Sequence, residues 1–543
     1  MRKIQVILLS MTMAVLSACA DYLDIVPDNV PTMEHAFKDR VSAERFLATI
    51  YQYMPQIGHP MYDPALLGSD EYGTNQNDYH LNLFHYWGDR MKLGEQNTND
   101  PIMNYWEGRN DARNLYIALR DCNIFLENIG KVGPDLNDED RARWIAEVKF
   151  LKAFYHFYLL RMYGPIPLVK ENLPIGSSSE EVRVYRDTFD DCVDYICQLC
   201  EEAIPDLPLS ITDVINEMGR ITRPIAATLL AEARVTGASP LFNGNPDFQD
   251  LTDNRGMKLF SEEDPNKWNV AAVACKEAVE ICKEAGISQL YEFNDSRYDL
   301  SEETRRGMSI RGASTEKWNE ELIIARYYKD GEVWNQRVVP PRVFGVGLGG
   351  YTPTMKLVDA YPMMASGRYP VTGYKADGSP IIDDKSGYEA NGFTDGWLHP
   401  THRDKGIKVH NSMKGRDGRF YASIFFNGMY WIHPDGTKEQ YAPVTFFTGG
   451  TSSYAHSSGD YVKTGFVFTK FTDPNIDTRK NTWGSFTWSY LRLAEIYLNY
   501  AEACNEKPAR DAKEALVYIN KIRERAGLGK LENAYPAVVD SKE

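Results

Sequence analysis

The 543-residue sequence has few cysteines: eight in all, of which seven follow the N-terminal segment that ends at Cys19. An odd and sparse set of thiols does not predict a disulfide framework. Cys192, Cys197 and Cys200 include a C-x-x-C pair, but no second such pair and no histidine pair at ligand spacing lies nearby. Cys192 and Cys200 fall on one apolar stripe of a predicted helix, which favours buried core thiols over a zinc or redox site.

Positive charge is also scarce. Lys and Arg number 60 against 76 Asp and Glu, so the net charge is −16. A net charge this negative does not favour binding to the negatively charged backbone of a nucleic acid. Aromatic residues, in contrast, are abundant, with 23 Phe, 10 Trp and 33 Tyr. Tyrosine combines an apolar ring with a polar tip and therefore suits surfaces that bind polar ligands.

Motifs of common catalytic and cofactor sites are missing, since no H-E-x-x-H and no G-x-S-x-G occurs. The G-x-G-x-x-G match at 345–350 lacks a strand before it, and Pro353 prevents a helix after it, so it predicts a loop rather than a nucleotide site. His399 and His402 lie in a predicted Gly-rich loop without further ligands. We therefore expect no enzyme, no cofactor and no metal, although the many carboxylates keep a glycoside hydrolase as a third hypothesis.

The chain begins like the precursor of a bacterial lipoprotein. A short basic start precedes an apolar stretch from Ile4 to Leu16, which has the length of a signal peptide rather than of a membrane span. Leu16-Ser17-Ala18-Cys19 resembles a lipobox, in which the cysteine carries lipid and becomes the mature N-terminus. We predict a signal peptide over residues 1–18 and a lipid anchor at Cys19. No later apolar run reaches about 18 residues, so no spanning helix is predicted.

Helical periodicity dominates the chain up to about residue 289. The clearest helix is predicted over Asp138–Tyr163, and Gly164-Pro165 ends it. Its apolar stripe, at steps of three and four residues, is Trp144, Val148, Leu151, Tyr155, Tyr158 and Met162. Alanine-rich helical segments over 223–237 and 264–286 predict closely packed helix pairs, and a last pair is predicted over 491–506 and 510–526.

Between about 290 and 490 the helical stripes nearly vanish. Glycine and aromatic residues concentrate in this region, which predicts long loops with short strands. Asn427-Gly428 lies inside the apolar run Phe425–Trp431 and favours a tight primed turn, so we predict a β hairpin there.

Six segments follow one another in a fixed order along the mature chain, namely Cys19–Pro27, Glu147–Tyr155, Leu160–Leu168, Gly219–Thr222, Arg492–Ala503 and Asn520–Gly527. Together they resemble the SusD/RagB family of bacterial lipoproteins. The resemblance implies a mainly α fold, in which a tetratricopeptide-like scaffold of helical hairpins carries a large aromatic, Gly-rich insert of loops and short strands. We expect one such domain over 19–543, with the scaffold at about 20–289, the insert at 290–490 and a returning helix pair at 491–528.

The resemblance also implies a function. It implies a protein at the outer face of the cell outer membrane that captures a glycan or another nutrient for a SusC-like TonB-dependent transporter, without catalysis. A peptide- or protein-binding helical-repeat lipoprotein is the alternative that such a scaffold leaves open. The family usually continues into a further helix with Glu-Arg-Arg and a Phe-Glu-Gly-x-Arg segment. The sequence stops at Glu543 without them, so we expect an incomplete last helical layer.

Two segments place aromatic rings beside polar side chains, as a sugar site requires. The C–H face of a pyranose stacks on a ring, while its hydroxyl groups bind polar side chains. We predict that the two segments meet on one face and hold the ligand. The first contributes Asp70, Tyr72, Asn77, Tyr79 and Trp87, and the second contributes Trp334, Asn335, Arg337 and Tyr351.

Overall fold

A computed structural model of the chain describes residues 33–74, 87–295, 300–340, 347–431, 443–455, 461–473, 476 and 482–542. The predicted signal peptide and Cys19 lie outside these ranges, as do Asn77 and Tyr79. Within them, no helix has both the length and the apolar character that a membrane crossing needs.

Helices make up most of the regular structure. In chain order they are α1 (Met33–Ala36), α2 (Arg40–Gln52), α3 (Pro64–Gly68), α4 (Trp87–Lys92), α5 (Leu115–Asn128), α6 (Asp138–Tyr163), α7 (Phe189–Ala203), α8 (Arg223–Ala238), α9 (Lys267–Glu284), α10 (Glu302–Thr315), α11 (Glu332–Val338), α12 (Met355–Asp359), α13 (Gly418–Ser423), α14 (Leu493–Glu506), α15 (Ala512–Arg525) and α16 (Leu531–Ala534). The mainly α class is thereby confirmed.

Helix α6 has the predicted bounds and lies at the centre of the helical region. The Asn137 side chain accepts the backbone N–H of Asp140 at 2.7 Å and so caps the first turn, and Gly164 ends the helix with φ of 67°. Trp144 and Tyr155 are completely buried, as the apolar stripe predicts. Helices α5 and α7 pack against α6, followed by α8 on α7, α9 on α8, α14 on α9 and α15 on α14.

The cysteines of the helical region behave as core residues. All seven, from Cys122 to Cys504, lie in the described part of the chain, and they are buried and unbridged. Burial raises the pKa of the Cys192 and Cys197 thiols to about 12, so both stay protonated at neutral pH. The prediction of core thiols around the C-x-x-C pair is confirmed.

Short strands supply the rest. They are β1 (Tyr72–Thr74), β2 (Leu322–Tyr328), β3 (Tyr351–Pro353), β4 (Val371–Tyr374), β5 (Pro380–Ile382), β6 (Phe393–His399), β7 (His402–His410), β8 (Ile424–Phe426), β9 (Phe466–Phe468) and β10 (Phe486–Arg492). In the described ranges they form separate antiparallel pairs, namely β1–β3, β2–β10, β4–β5, β6–β7 and β8–β9. His399 and His402 thus lie across a β hairpin rather than in the predicted loop.

The hairpin predicted at Asn427-Gly428 is wrong. Strand β8 pairs with β9, about forty residues further on, with Ile424 opposite Phe468. Gly428 does have a positive φ, of 91°, but its N–H donates to the Val444 carbonyl, and the Asn427 side chain accepts the N–H of Phe446 at 2.7 Å. The dipeptide therefore binds a distant segment instead of folding the chain back on itself.

The described residues form two hydrophobic cores. The first lies among the helices and includes Trp144 and Tyr155. The second lies among the short strands and includes Trp334 and Tyr351. The β2–β10 sheet contributes to both, since Ile324 and its partner Leu491 belong to the first core while Phe486 and Trp488 pack against the second.

Candidate functional site

The two predicted binding segments do meet in the structure. Strand β1 pairs with β3, with Tyr72 opposite Pro353 and Thr74 opposite Tyr351. Segment 75–86 lies outside the described residues. The juxtaposition of the segments is therefore as predicted, while Asn77 and Tyr79 belong to the part that is not described.

The predicted rings, however, face inward. Tyr72, Trp334 and Tyr351 are buried in the second core. Tyr72 stacks on Phe468 with ring centroids 4.6 Å apart, and the rings of Trp334 and Tyr351 lie 5.3 Å apart. A ring that stacks on a sugar needs an open face, so the predicted exposure of these three side chains is wrong. Tyr72 and Tyr351 lie on the paired strands β1 and β3, whereas Trp334 lies on helix α11 and packs against Tyr351, Phe471 and Trp488.

Of the other predicted residues that the structure describes, three are buried and one is exposed. Trp87 is 8% exposed, its indole N–H donates to Asp111, and the Arg90 guanidinium lies over its ring at 5.2 Å. Asn335 is buried and donates to the Trp483 carbonyl at 2.8 Å, and Arg337 is buried as well. Asp70 remains exposed and forms an ion pair with Lys356. A ligand role for Asp70 stays a prediction, and burial argues against the same role for the other three.

Exposed aromatic side chains occur elsewhere, around a groove of about 640 Å³. We call it the Trp318 groove. Twelve residues line it, including Met54, Met218, Trp318, Arg326, Tyr327 and Tyr490. Strand β2 forms its floor, and its walls are the turn after α2 and the loop that carries Met218. Trp318 and Tyr327 are 42% and 49% exposed, unlike the rings of the predicted site.

One wall of the Trp318 groove is fixed by the backbone around Gly58. This glycine has φ of 76°, and a Cβ atom there would lie 2.0 Å from Cγ of Trp488, so a side chain cannot be accommodated. Its N–H donates to the Asp63 carboxylate at 2.7 Å. The guanidinium of Arg326 holds the same turn, because Nη1 donates to the carbonyls of Met54 and Pro55, each at 3.2 Å.

The opposite wall is held by an ion-pair network. Arg143 binds Glu217 at 3.0 Å, and Arg220 binds Glu217 at 2.9 Å and the buried carboxylate of Glu147 at 3.0 Å. The Tyr51 hydroxyl donates to the same Glu147 carboxylate at 2.7 Å. Shared partners of this kind restrain the loop that carries Met218, so both walls of the groove are preorganised.

Trp318 itself has an uncommon backbone conformation. Its φ is 57°, in the left-handed region that bulky side chains rarely adopt. The residue lies in the turn between α10 and β2, where the Leu322 N–H donates to the Asn319 carbonyl at 3.1 Å. Strained conformations of this kind persist where the surroundings enforce them and are frequent at binding sites. The turn presents the indole to solvent at the rim of the groove.

The electrostatics of the groove are simple. Arg326 is the one charged side chain among the twelve described lining residues. Burial, together with the charge of Arg326, lowers the pKa of the nearby His59 to about 4, so His59 is neutral at physiological pH. The groove thus offers two exposed rings and one guanidinium, which is suited to binding rather than to acid–base catalysis.

No group of three His, Cys, Asp or Glu side chains within the described ranges is arranged to hold a metal ion. His399 is buried, and its Nδ1 lies 2.9 Å from the Thr401 hydroxyl. Sequence reasoning missed the Trp318 groove, because Trp318-Asn319 looks locally like Trp334-Asn335. Only the fold distinguishes the exposed pair from the buried one.

Comparisons with known proteins agree with this architecture. A family profile described as "SusD family" matches residues 307–541, and a second, described as "Starch-binding associating with outer membrane", matches residues 21–235. The chain belongs to the SusD family. Together the two matches extend over both the helical region and the strand-rich region. No curated protein sequence matches the chain.

Solved structures show the same SusD-like fold. BT4246 is 26% identical with a TM-score of 0.71, over 91% of this chain and 83% of that one. A SusD-like protein from Bacteroides fragilis, BF3747, is 23% identical with a TM-score of 0.61, over 94% and 82% of the two chains. A SusD-like carbohydrate-binding protein from the same organism, BF0978, is 18% identical with a TM-score of 0.55, over 91% and 80%. The last two support the fold alone.

Proposed function

We propose that this SusD-family protein is a lipid-anchored protein of the outer membrane that captures a glycan at the cell surface. The observation that carries the proposal is the Trp318 groove. In this groove, preorganised walls present two exposed rings beside a guanidinium. The description of the matching profile, starch binding in association with the outer membrane, supports the same function.

The groove fits the chemistry of a sugar chain. A pyranose has an apolar C–H face, which the open faces of Trp318 and Tyr327 can stack against, and its hydroxyl groups can bind Arg326 and the Tyr490 hydroxyl. Because the walls are held by Gly58 and by the Glu147 network, little binding free energy is lost in ordering them. The proposal is one of binding without turnover, so we expect no sugar to be released on prolonged incubation.

A panel of glycans and a panel of peptides test the ligand class on the lipid-free protein. We expect a glycan to bind, and Trp318→Ala to weaken it by about tenfold or more. Phe393→Ala is the matched control, since Phe393 is 66% exposed but does not line the groove. Binding of peptides but of no glycan would support the alternative of a peptide- or protein-binding helical-repeat lipoprotein. Release of reducing sugar would support the third hypothesis, a glycoside hydrolase.

The anchor belongs to the same proposal. The lipobox-like segment 16–19 places Cys19 at the expected acylation point. We expect Cys19→Ala to leave the membrane fraction or to remain an uncleaved precursor, whereas Cys197→Ala, which removes a buried thiol, stays in that fraction. Membrane association of the Cys19 variant in cells that lack the transporter would contradict the anchor.

Delivery to a SusC-like TonB-dependent transporter completes the proposal. It rests on the sequence resemblance and on the family to which the chain belongs. We expect an affinity-tagged, full-length protein to copurify with such a barrel from outer membranes solubilised in mild detergent. Purification of the tagged protein without any barrel, with its lipid anchor intact, would contradict this part.

A further inference from the structure

The charge of the Trp318 groove differs from the charge of the molecule as a whole. The chain carries a net charge of −16, yet no carboxylate is among the twelve described residues that line the groove. The one charged lining residue, Arg326, is a cation. The groove is therefore a local positive site in an acidic protein, which is the arrangement expected where an anionic ligand binds.

Among the described residues, Arg326 also lacks the acidic partner that the neighbouring arginines have. Around the same groove, Arg143 and Arg220 bind Glu217, and Arg161, near Tyr490, binds Glu232 at 3.2 Å. For Arg326, no Asp or Glu oxygen of the described chain lies within 4.0 Å. A partly buried cation normally has an acidic partner. Arg326 therefore differs from the neighbouring arginines in having no carboxylate partner among the described residues.

The hydrogen bonds of Arg326 leave one edge of the guanidinium open. Nη1 donates to the carbonyls of Met54 and Pro55, and the guanidinium lies 5.5 Å from the ring centre of Tyr328. Nε and Nη2 donate to no atom of the described residues, and neither is a buried atom that lacks a partner. These two N–H groups form the edge that binds carboxylate or sulfate oxygens in pairs.

We propose that the Trp318 groove binds an acidic glycan, whose carboxylate or sulfate group is bound by Nε and Nη2 of Arg326 while a neighbouring sugar ring stacks on Trp318 or Tyr327. This inference rests on the proposed glycan-binding function and specifies its ligand class. A carboxylate or sulfate can accept two parallel hydrogen bonds from the guanidinium and also carries the opposite charge, whereas the hydroxyl groups of a neutral glycan are uncharged, so a neutral glycan forgoes the strongest contact that the groove offers. His59 adds no second positive charge, since it is neutral at physiological pH.

Three probes on the lipid-free, full mature protein test the inference: an oligogalacturonate, a heparin oligosaccharide and a neutral maltooligosaccharide. We expect at least one anionic probe to bind more tightly than the neutral one, by about tenfold or more, and its affinity to fall with added salt. The oligogalacturonate supplies carboxylate groups, and heparin supplies sulfate as well, so the preferred probe distinguishes the two sources of negative charge.

Variants assign the effect to Arg326. We expect Arg326→Gln to weaken the anionic probe by about tenfold or more, and Arg326→Lys, which keeps the charge without the paired N–H groups, to fall in between. Arg510→Gln is the control, because Arg510 lies outside the groove. Thermal melting of each variant separates lost binding from lost folding, and Arg326→Lys keeps the test valid if Arg326→Gln unfolds the turn.

The inference and the proposed function fail differently. If the neutral probe binds at least as tightly as both anionic probes and Arg326→Gln leaves its affinity unchanged, the acidic ligand class is wrong. Glycan capture then stands if Trp318→Ala still weakens binding by about tenfold or more. If no glycan binds, or if binding is insensitive to both Trp318→Ala and Arg326→Gln, the groove is not the site, and the inference fails together with the proposed use of the groove.

Discussion

Aromatic side chains are buried in different ways in the two cores. In the helical core, Trp144 and Tyr155 lie on one face of a single helix, so their burial follows from spacing within about a dozen residues. In the strand-rich core, Tyr72 and Tyr351 are buried by two strands that pair across 279 residues of chain, counted from Tyr72 to Tyr351. A segment without a helical stripe can therefore still bury its aromatic side chains.

Two tryptophans make this difference concrete. Trp318 and Trp334 are each followed by asparagine and stand in segments without a helical stripe, yet Trp318 is 42% exposed and Trp334 is fully buried. Trp334 contacts Phe471, Trp488 and Tyr351, and its N–H donates to the Phe471 carbonyl at 3.3 Å. We therefore assign Trp334 to folding and Trp318 to binding.

The largest expected effect is the loss of stability when a ring is removed from the second core. Trp334→Ala leaves a large cavity among packed rings and should lower the free energy of unfolding by about 3–5 kcal/mol, as should Trp144→Ala in the helical core. Denaturant unfolding of both variants checks this. A Trp334 variant that unfolds like wild type would return this residue to the candidate binding residues.

The next prediction concerns the junction between the cores. Glu321 is fully buried and binds Arg492 of β10 and Arg525 of α15, while Leu493 donates its N–H to the Glu321 carbonyl. Burial raises the pKa of Glu321, but the charges of Arg525 and Arg492 outweigh it and hold the pKa below its usual value. Glu321→Gln should lower the free energy of unfolding by about 3–5 kcal/mol, because two guanidiniums lose their charged partner.

The pH dependence of this junction has a definite sign. A carboxylate with a lowered folded pKa stabilises the fold above its unfolded pKa of about 4.3 and loses that contribution as the pH falls through the folded value. The difference in melting temperature between wild type and Glu321→Gln should therefore shrink at acid pH. Glu302→Gln, at a side chain that is 84% exposed, is the control and should change little. Equal melting temperatures of Glu321→Gln and Glu302→Gln at pH 7 would contradict the stabilising role of the Glu321 carboxylate.

A smaller effect of opposite sign is expected inside the helical core. Burial raises the pKa of Glu232 to about 7; the charge of Arg161 opposes this shift and Glu495 adds to it. Since the unfolded chain ionises from about pH 4.3, the fold loses stability as the pH rises from there to about 7. The free energy of unfolding of Glu232→Gln should therefore exceed that of wild type by about 1–3 kcal/mol at pH 8 and should equal it at pH 4.

Melting curves across this pH range give the result directly. Exposed Glu277 on the neighbouring helix α9 provides the control variant, Glu277→Gln, whose melting should follow wild type at every pH. A constant difference between Glu232→Gln and wild type from pH 4 to pH 8 would show that Glu232 does not titrate in the folded protein in this range.

Local sequence accounts for much of the helical region and for little of the site. The bounds of α6 and the buried cysteines follow from periodicity and end signals within one helix. The buried orientation of Trp334 depends instead on side-chain contacts with residues far away in the sequence, and the partner of β8 is a distant strand; no local pattern contains either. The same holds for the Trp318 groove, whose lining comes from four separate stretches of chain.

Ligand affinity and unfolding, measured together for Trp318→Ala, test directly whether Trp318 binds the ligand or belongs to the core. For the glycan that wild type binds, we predict an affinity lower by about tenfold or more, with a free energy of unfolding within about 0.5 kcal/mol of wild type. Trp334→Ala should be strongly destabilised in the same experiment. Unchanged affinity in Trp318→Ala, or a loss of stability as large as that of Trp334→Ala, would contradict the division between a binding ring and a core ring.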